Sequence, residues 1–230
     1  MEIWCMKIAL VAATWHEIAP IQDYLAERLY LKNHHQFSLW VTGVGLVNTT
    51  YNLTKKIALE KPDLVIQAGI AGSFQPLTHS PGNVVVVKEE CLGDLGVQEN
   101  NETWTDIFDL KLTDPNLFPF KSKRLVNPHN QLLQKLNLPL VTAVSVNEIT
   151  TNPKRIHQLI EQYTPAIESM EGAAFHYVCL NEGIPFIQIR SISNLIGERD
   201  KAQWQLHKAI EKLQNTLITL LNKLSESNHL

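Results

Sequence analysis

The sequence predicts a single α/β domain built on a mixed, largely parallel central sheet flanked by helices. Short apolar runs alternate with helix-length amphipathic segments along the 230 residues, the pattern of strands joined by covering helices. Glycine and proline stand at the junctions, where tight turns need them. No repeat or low-complexity linker divides the chain, and its length suits one domain whose core needs neither disulfide nor metal.

The elements follow in order. A first strand spans Lys7 to Ala13. Ile18, Ile21, Leu25 and Leu29 then fall on one face of a helix, apolar residues recurring at three and four positions. A second strand, Phe37 to Val41, leads through Gly43 and Gly45 into a helix with Val47, Tyr51, Thr54 and Ala58 on one face. The third strand, Leu64 to Ala68, ends at Gly69 and Gly72, and Pro81-Gly82 turns into a fourth, Val84 to Val87. The stretch Glu89 to Asn130 is polar and rich in Asp, Asn and Pro. It reads as an irregular functional loop or lid inside the domain. Strands at Val141 to Val146 and Phe186 to Ile189 follow, the latter running out to a polar tip at Asn194. The last helix carries Ile210, Leu213, Leu217 and Leu220 and is expected to pack on the sheet.

Composition narrows the function. With 20 basic and 23 acidic residues and a net charge of -3, the chain lacks the basic field that nucleic acid or an anionic membrane requires. Neither partner is expected. Cys5, Cys91 and Cys179 are far apart and odd in number, which fits free thiols in a reducing cytoplasm. No apolar window approaches the roughly 18 residues of a membrane span. The nine histidines show no metal-ligand spacing, so no metal and no organic cofactor are expected.

In open parallel sheets ligands gather beyond the carboxyl ends of the strands, and four such exits carry informative residues. After the first strand, Thr14-Trp-His-Glu17 reads either as a capping box or as a free acid at a strand exit. A capping box would put Pro20 at the sixth helical position, past the harmless first turn. A helix starting nearer Glu17 tolerates Pro20 better and frees the carboxylate, so both readings stand. Gly43-Val-Gly45 and Gly69-Ile-Ala-Gly72 match neither a dinucleotide nor a triphosphate loop. They let a backbone approach a ligand or simply let a helix start close to the sheet. Glu171, in Ser169-Met-Glu-Gly-Ala-Ala174, stands where a carboxylate would complement a helix dipole. Asn194 would suit an Asx turn.

The combination and order of these pieces resemble the nucleoside phosphorylase and nucleosidase superfamily, and within it the futalosine hydrolases of menaquinone biosynthesis. The pieces are Glu17, Gly43-Val-Gly45, Gly69 to Gly72, Met170-Glu171-Gly-Ala-Ala and Arg190-Ser-Ile-Ser-Asn194, with Gly197-Glu-Arg199-Asp200 beyond them. The resemblance covers residues 6–230 and leaves residues 1–5 outside it. It implies a nucleoside phosphorylase-like fold, a small-molecule nucleoside as substrate and a homo-oligomer, because the family completes its pockets across subunits.

The resemblance also implies roles. Glu171 would accept both ribose hydroxyls and favour the cationic sugar of the transition state, with Met170 against the sugar face. Glu17 would deprotonate the attacking water, a contribution of roughly 10²–10⁴-fold. Arg190 would stand near these acids, and the backbone of Ile70, Ala71 and Gly72 would line the pocket. Asn147 and Ile149 fall where adenine nucleosidases place an aromatic residue on the base. A phosphorylase needs a phosphate site after the first strand, where the acid Glu17 would repel the anion. Asn194 replaces the aspartic acid of the adenine nucleosidases. Its amide both donates and accepts, which suits the N7 and O6 edge of a 6-oxopurine. The expected reaction is therefore hydrolysis of futalosine to hypoxanthine and dehypoxanthine futalosine, with an adenine nucleosidase or a purine nucleoside phosphorylase as the competing readings.

Overall fold

A computed structural model of the protein describes residues 5–29 and 35–226. The elements are β1 (Lys7–Ala12), α1 (Trp15–Leu29), β2 (Gln36–Val41), α2 (Leu46–Glu60), β3 (Leu64–Ser73), β4 (Val84–Leu92), β5 (Gly96–Gln98), β6 (Trp104–Asp106), β7 (Leu125–Val126), α3 (Asn130–Lys135), β8 (Leu140–Ser145), α4 (Pro153–Tyr163), β9 (Ile167–Ser169), α5 (Gly172–Glu182), β10 (Phe186–Leu195), a short 3₁₀ turn at Lys201–Gln203, and α6 (Leu206–Glu226). The expectation of extra residues at 1–5 falls almost wholly outside the described part.

The main sheet runs β10-β4-β8-β9-β3-β1-β2, with β7 beside β4, and a further pairing of β10 with β3 closes five of its strands into a ring. Five pairings are parallel; β10 on β4, β3 on β9 and β4 on β7 are antiparallel. The mixed, largely parallel sheet flanked by helices is thus present. Ring closure leaves β3 and β10 with partners on both sides and removes sheet edges that would otherwise invite association.

Three apolar layers follow from strand alternation. Ile8, Leu10, Leu64, Ile66, Ile187 and Ile189 face α1 and α6, where Ile18, Ile21, Leu213 and Leu217 meet them. Ala9, Val11 and Val65 face the other way, onto Leu53 and Ile57 of α2 and Phe175 and Val178 of α5. Val85, Val87, Val141, Ala143 and Ile192 form a separate cluster within the ring of strands. Both faces of β3 and β10 are therefore buried, so a polar side chain on either strand needs a buried partner.

Several sequence expectations are corrected. The buried face of α2 is Thr49, Leu53 and Ile57, not the stripe of Val47, Tyr51, Thr54 and Ala58, which lies outward, with Val47 80% and Tyr51 64% exposed. The helix carries two interleaved stripes, and its start at Gly45 sets which one turns inward. Helix α1 begins at Trp15 rather than nearer Glu17. On α6 the expected face is buried at Leu213, Leu217 and Leu220 and half-buried at Ile210, while on α1 the side chain of Leu29 lies outside the described residues. Strand β4 runs on past Val87 through Lys88-Glu89-Glu90, because a register shift there turns Lys88 out. Glu89 finds Arg124, and Glu90 is buried. Strand β10 likewise continues through Asn194, with a register shift between Ile192 and Asn194.

The segment from Glu89 to Asn130 is not an irregular loop. It contains the end of β4, the β5–β6 hairpin and β7, and it is pinned by the buried Asp106. That carboxylate accepts from Lys123 Nζ at 3.1 Å and from Gln162 Nε2 at 2.8 Å. The guanidinium of Arg155 stacks 3.8 Å from the Trp104 ring. Among the described residues no helix is long and apolar enough to cross a membrane.

Candidate active site

Arg190 lies opposite Gly69 in the β10–β3 ladder. A side chain at position 69 would collide with Arg190 Nη1 and stand 3.2 Å from Glu17 Oε1. The missing Cβ is therefore the space in which the guanidinium and the Glu17 carboxylate approach each other. From there Arg190 Nη2 donates to Gln67 Oε1 at 2.9 Å, while Nη1 reaches Glu171 Oε2 at 3.4 Å and the Ile70 carbonyl at 3.5 Å. The Arg190 side chain is 1% exposed and that of Glu171 7%, so this ion pair is little screened by solvent.

Both carboxylate oxygens of Glu17 are engaged. Its Oε2 accepts from the Thr14 N–H at 2.9 Å and the Thr14 hydroxyl at 3.0 Å; this is the carboxylate half of a capping box, while the Glu17 N–H goes to the Thr14 carbonyl. Its Oε1 turns away to accept from the Ile70 N–H at 3.2 Å. The box forces Pro20 to the sixth helical position. Gln214 of α6 donates to the Glu17 carbonyl at 2.7 Å and ties this turn down. One acid thus links the exit of β1 to the backbone of β3.

Glu171 is the N-cap residue of α5, yet its side chain makes no capping bond there. It serves α2 instead, accepting from the Gly45 N–H at 3.1 Å. Gly45 has φ +89°, a left-handed conformation that side chains disfavour. Asn147 Oδ1 takes the next donor of α2, Leu46 N–H, at 3.4 Å. An acid and an amide from elsewhere in the chain thus occupy the positive end of α2, where negative charge is favoured. Ser169 and Ser145 hydroxyls accept from Gly172 N–H and Ala173 N–H in place of the absent cap, at 3.3 and 2.8 Å.

The remaining candidates are spread around this centre. Asn194 pairs with Gly72 across the ladder. Its Oδ1 accepts from Ser193 at 2.7 Å and its Nδ2 donates to the Leu195 carbonyl at 2.9 Å, which leaves one amide hydrogen and one lone pair. The Ala71 carbonyl accepts from the Ser193 hydroxyl at 3.2 Å. Met170 is half-buried beside Glu171, and Asn147 and Ile149 are exposed. The structure joins Glu17, Ile70, Arg190, Glu171 and Gly45 directly; no hydrogen bond or ion pair brings Ile149 or Met170 to them.

The polar residues that sequence reasoning missed lie inside apolar runs: Gln67 in β3, Glu90 in β4, Gln188 in β10 and His176 in α5, all buried. Their signal was polarity at the centre of a strand or helix buried on both faces. Burial pushes the Glu90 carboxyl up to about 7 and the His176 imidazole down to about 4. Glu168 is also pushed up by burial, although it accepts from the Thr150 N–H and hydroxyl. Among the described residues no group of three metal-ligating side chains converges.

The profile of the phosphorylase superfamily matches residues 7–224 of this chain. A futalosine hydrolase from Thermus thermophilus is 28% identical over 192 residues, covering 78% of this chain and 79% of that protein. A 5′-methylthioadenosine/S-adenosylhomocysteine nucleosidase from Buchnera aphidicola is 25% identical over 240 aligned positions, 97% of this chain and 99% of its own length. Among solved structures, futalosine hydrolase of Helicobacter pylori superposes with a TM-score of 0.75 at 17% identity, covering 95% of this chain and 98% of that one. At that identity the likeness concerns the fold.

The buried pair supplies a test of the geometry. Arg190→Leu leaves the buried Glu171 without its counter-charge and Gln67 Oε1 without a donor, and is expected to cost about 3–5 kcal/mol in denaturant unfolding. Adding Glu171→Leu removes the stranded charge and is expected to recover part of that loss. Strictly additive losses would mean that the two side chains are not coupled.

Proposed function

Because this chain belongs to the phosphorylase superfamily, we propose that it hydrolyses the N-ribosidic bond of a purine nucleoside, and that the nucleoside is futalosine. The observation that carries the reading is the meeting of Glu17, just after β1, and Glu171, just after β9, at Arg190 of β10. Cleavage of an N-ribosidic bond passes through a cationic sugar. Two carboxylates beside one guanidinium can orient a water and two ribose hydroxyls around such a cation.

In this mechanism Glu171 accepts from the 2′ and 3′ hydroxyls, held in place by Arg190 and the Gly45 N–H. Glu17 takes the proton of the attacking water as the new bond to C1′ forms. The bond from C1′ to the base breaks, and the departing base is stabilised along the Asn194 amide and takes its proton from solvent. Ile70, Ala71 and Gly72 offer backbone to the substrate, and Met170 packs on the sugar. Asn147 and Ile149 stand towards the base. Hydrolysis is favoured over phosphorolysis because Glu17 occupies the turn after β1, where it would repel a phosphate dianion.

Two relatives support different bases: a futalosine hydrolase, and a methylthioadenosine/adenosylhomocysteine nucleosidase matched over more of the chain. Asn194 favours the first, because an amide matches a 6-oxopurine whereas a protonated acid suits adenine. Hypoxanthine and dehypoxanthine futalosine are then the products, within menaquinone biosynthesis in the cytoplasm. A homo-oligomer is part of the same reading. Val44, Val47 and Tyr51 leave an apolar stripe exposed at the start of α2, and Tyr177 of the adjoining α5 is 42% exposed.

The experiment is incubation with futalosine, inosine and methylthioadenosine, with and without phosphate, following the released base. Hypoxanthine from futalosine without phosphate is expected. Faster adenine release from methylthioadenosine overturns the substrate, and a phosphate requirement overturns hydrolysis. In the same assay Glu17→Gln should lower turnover by about 10²–10⁴-fold with substrate binding kept, and unchanged turnover removes Glu17 from the mechanism. Asn194→Asp should move preference towards 6-amino purines; an unmoved preference defeats the amide argument. By light scattering the protein should exceed the mass of one chain, and Val47→Glu with Tyr51→Glu should reduce it. A single-chain mass for the unsubstituted protein ends the oligomer reading.

A further inference from the structure

Beneath α5 lies a buried polar group with no part in the proposed chemistry. Gln188 Nε2 donates to Glu90 Oε1 at 2.8 Å, and Ser145 donates to Glu90 Oε2 at 3.0 Å. Gln188 also meets the ring of His176, whose Nδ1 faces the Leu125 carbonyl at 2.9 Å. Gly172 makes the space: a side chain there would collide with both Glu90 Oε1 and Gln188 Nε2. All three polar residues are essentially sealed from solvent.

With the Gln188 amide in this orientation the hydrogen bonds do not close. His176 Nδ1 must carry a hydrogen to bond a carbonyl, so Nε2 of the neutral ring is a bare acceptor. Gln188 Oε1 is also an acceptor, and neither atom has a partner. Two arrangements satisfy every atom, and both contain one proton. In the first, His176 is an imidazolium donating to Gln188 Oε1 and Glu90 is ionised. In the second, the amide is turned over: a protonated Glu90 donates to Gln188 Oε1, and Gln188 Nε2 donates to neutral His176 Nε2. The first puts two charges in a site sealed from solvent, whereas the second has none.

We infer that Glu90, Gln188 and His176 share a single proton held on Glu90, and that this uncharged unit positions Glu171. The groups around it explain the link. Arg190 on β10 attracts an ionised Glu90, and Glu171 at the start of α5 repels it. On β4 itself Glu89 is paired with Arg124 of the neighbouring segment, and the Cys91 thiol is pushed up to about 12. β8 presents only the Ser145 hydroxyl. A charged Glu90 would compete with Glu171 for Arg190; a protonated one leaves that cation to Glu171. It also orients Ser145, whose oxygen accepts from Ala173 N–H and caps α5 in place of the Glu171 side chain. Glu90 is a positioning residue, and this role rests on the proposed nucleosidase reading; the location of the proton does not.

The two shifts make the proton visible in stability. Glu90 rises from 4.5 to about 7 on folding, so its contribution falls as pH climbs through that window. His176 drops from 6.5 to about 4, so its contribution rises over about pH 4 to 6.5. Between about 4.5 and 6.5 the opposed slopes cancel, since folding moves the proton from imidazole to carboxyl without net uptake. Glu90→Gln supplies the donor permanently and deletes only the first slope. Its stability relative to the unsubstituted protein should therefore increase from pH 4.5 to 7.

The test has a substrate-free and a catalytic arm. In ¹⁵N-histidine spectra of the unsubstituted protein, assigned with His176→Asn, His176 should be neutral with Nδ1 protonated at pH 7 and pH 5. An imidazolium at pH 7, or a stability difference for Glu90→Gln that stays flat from pH 4.5 to 7, overturns the proton assignment. In the nucleosidase assay kcat/KM should decline above about pH 7, where Glu90 ionises, and Glu90→Gln should lack that decline. Identical alkaline limbs overturn the positioning role while leaving the proton assignment and the nucleosidase reading intact. No activity on any nucleoside overturns the nucleosidase reading and, with it, the positioning role; the substrate-free arm still decides the proton.

Discussion

Arg190 enters the interior on a strand buried on both faces, and its guanidinium is taken out of bulk solvent. Its neighbours can be understood as answers to that one cation. Gly69 gives up a side chain so that the guanidinium can lie across β3. Gln67 and the Ile70 carbonyl accept from it, and Glu171 supplies the counter-charge. A charge taken out of water is tolerated only when paired and hydrogen-bonded, so each of these positions is constrained by the others.

The same cation orders the acids around it. Glu17 is held by backbone and hydroxyl donors, Glu171 by a backbone donor and the guanidinium, and Glu90 by uncharged partners. One buried cation does not neutralise three carboxylates. The fold separates them by chemistry: backbone and hydroxyl donors hold the first, a backbone donor and the guanidinium hold the second, and burial raises the proton affinity of the third. Helix ends contribute to this division. Glu171 leaves its own helix to serve α2, and serine hydroxyls fill the place it vacates.

Much of this was legible from residue order. Apolar runs located the main strands of the sheet, and the stripes of α1 and α6 pointed to their packing faces. The motif residues Glu17, Gly69, Glu171 and Arg190 were recognisable as candidates before their distances were known. Two places escaped local pattern for different reasons. Lys88, Glu89 and Glu90 break the apolar run of the fourth strand, yet a register shift and the pairing with β8 keep the strand going to Leu92. On α2 two stripes share the helical period, and periodicity alone does not rank them.

Sequence by itself determined the alternation of strand and helix, the apolar layers and the identity of the acids and the arginine, because these depend on local periodicity and on residue type. Tertiary structure alone decided which atoms meet. Closing β10 onto β3 set Arg190 opposite Gly69, and the start of α5 laid Gly172 over Glu90 and Gln188. Whether a glutamate caps a helix, pairs with a cation or keeps its proton depends on desolvation and on donors dozens of residues away, and no local pattern in the chain encodes either.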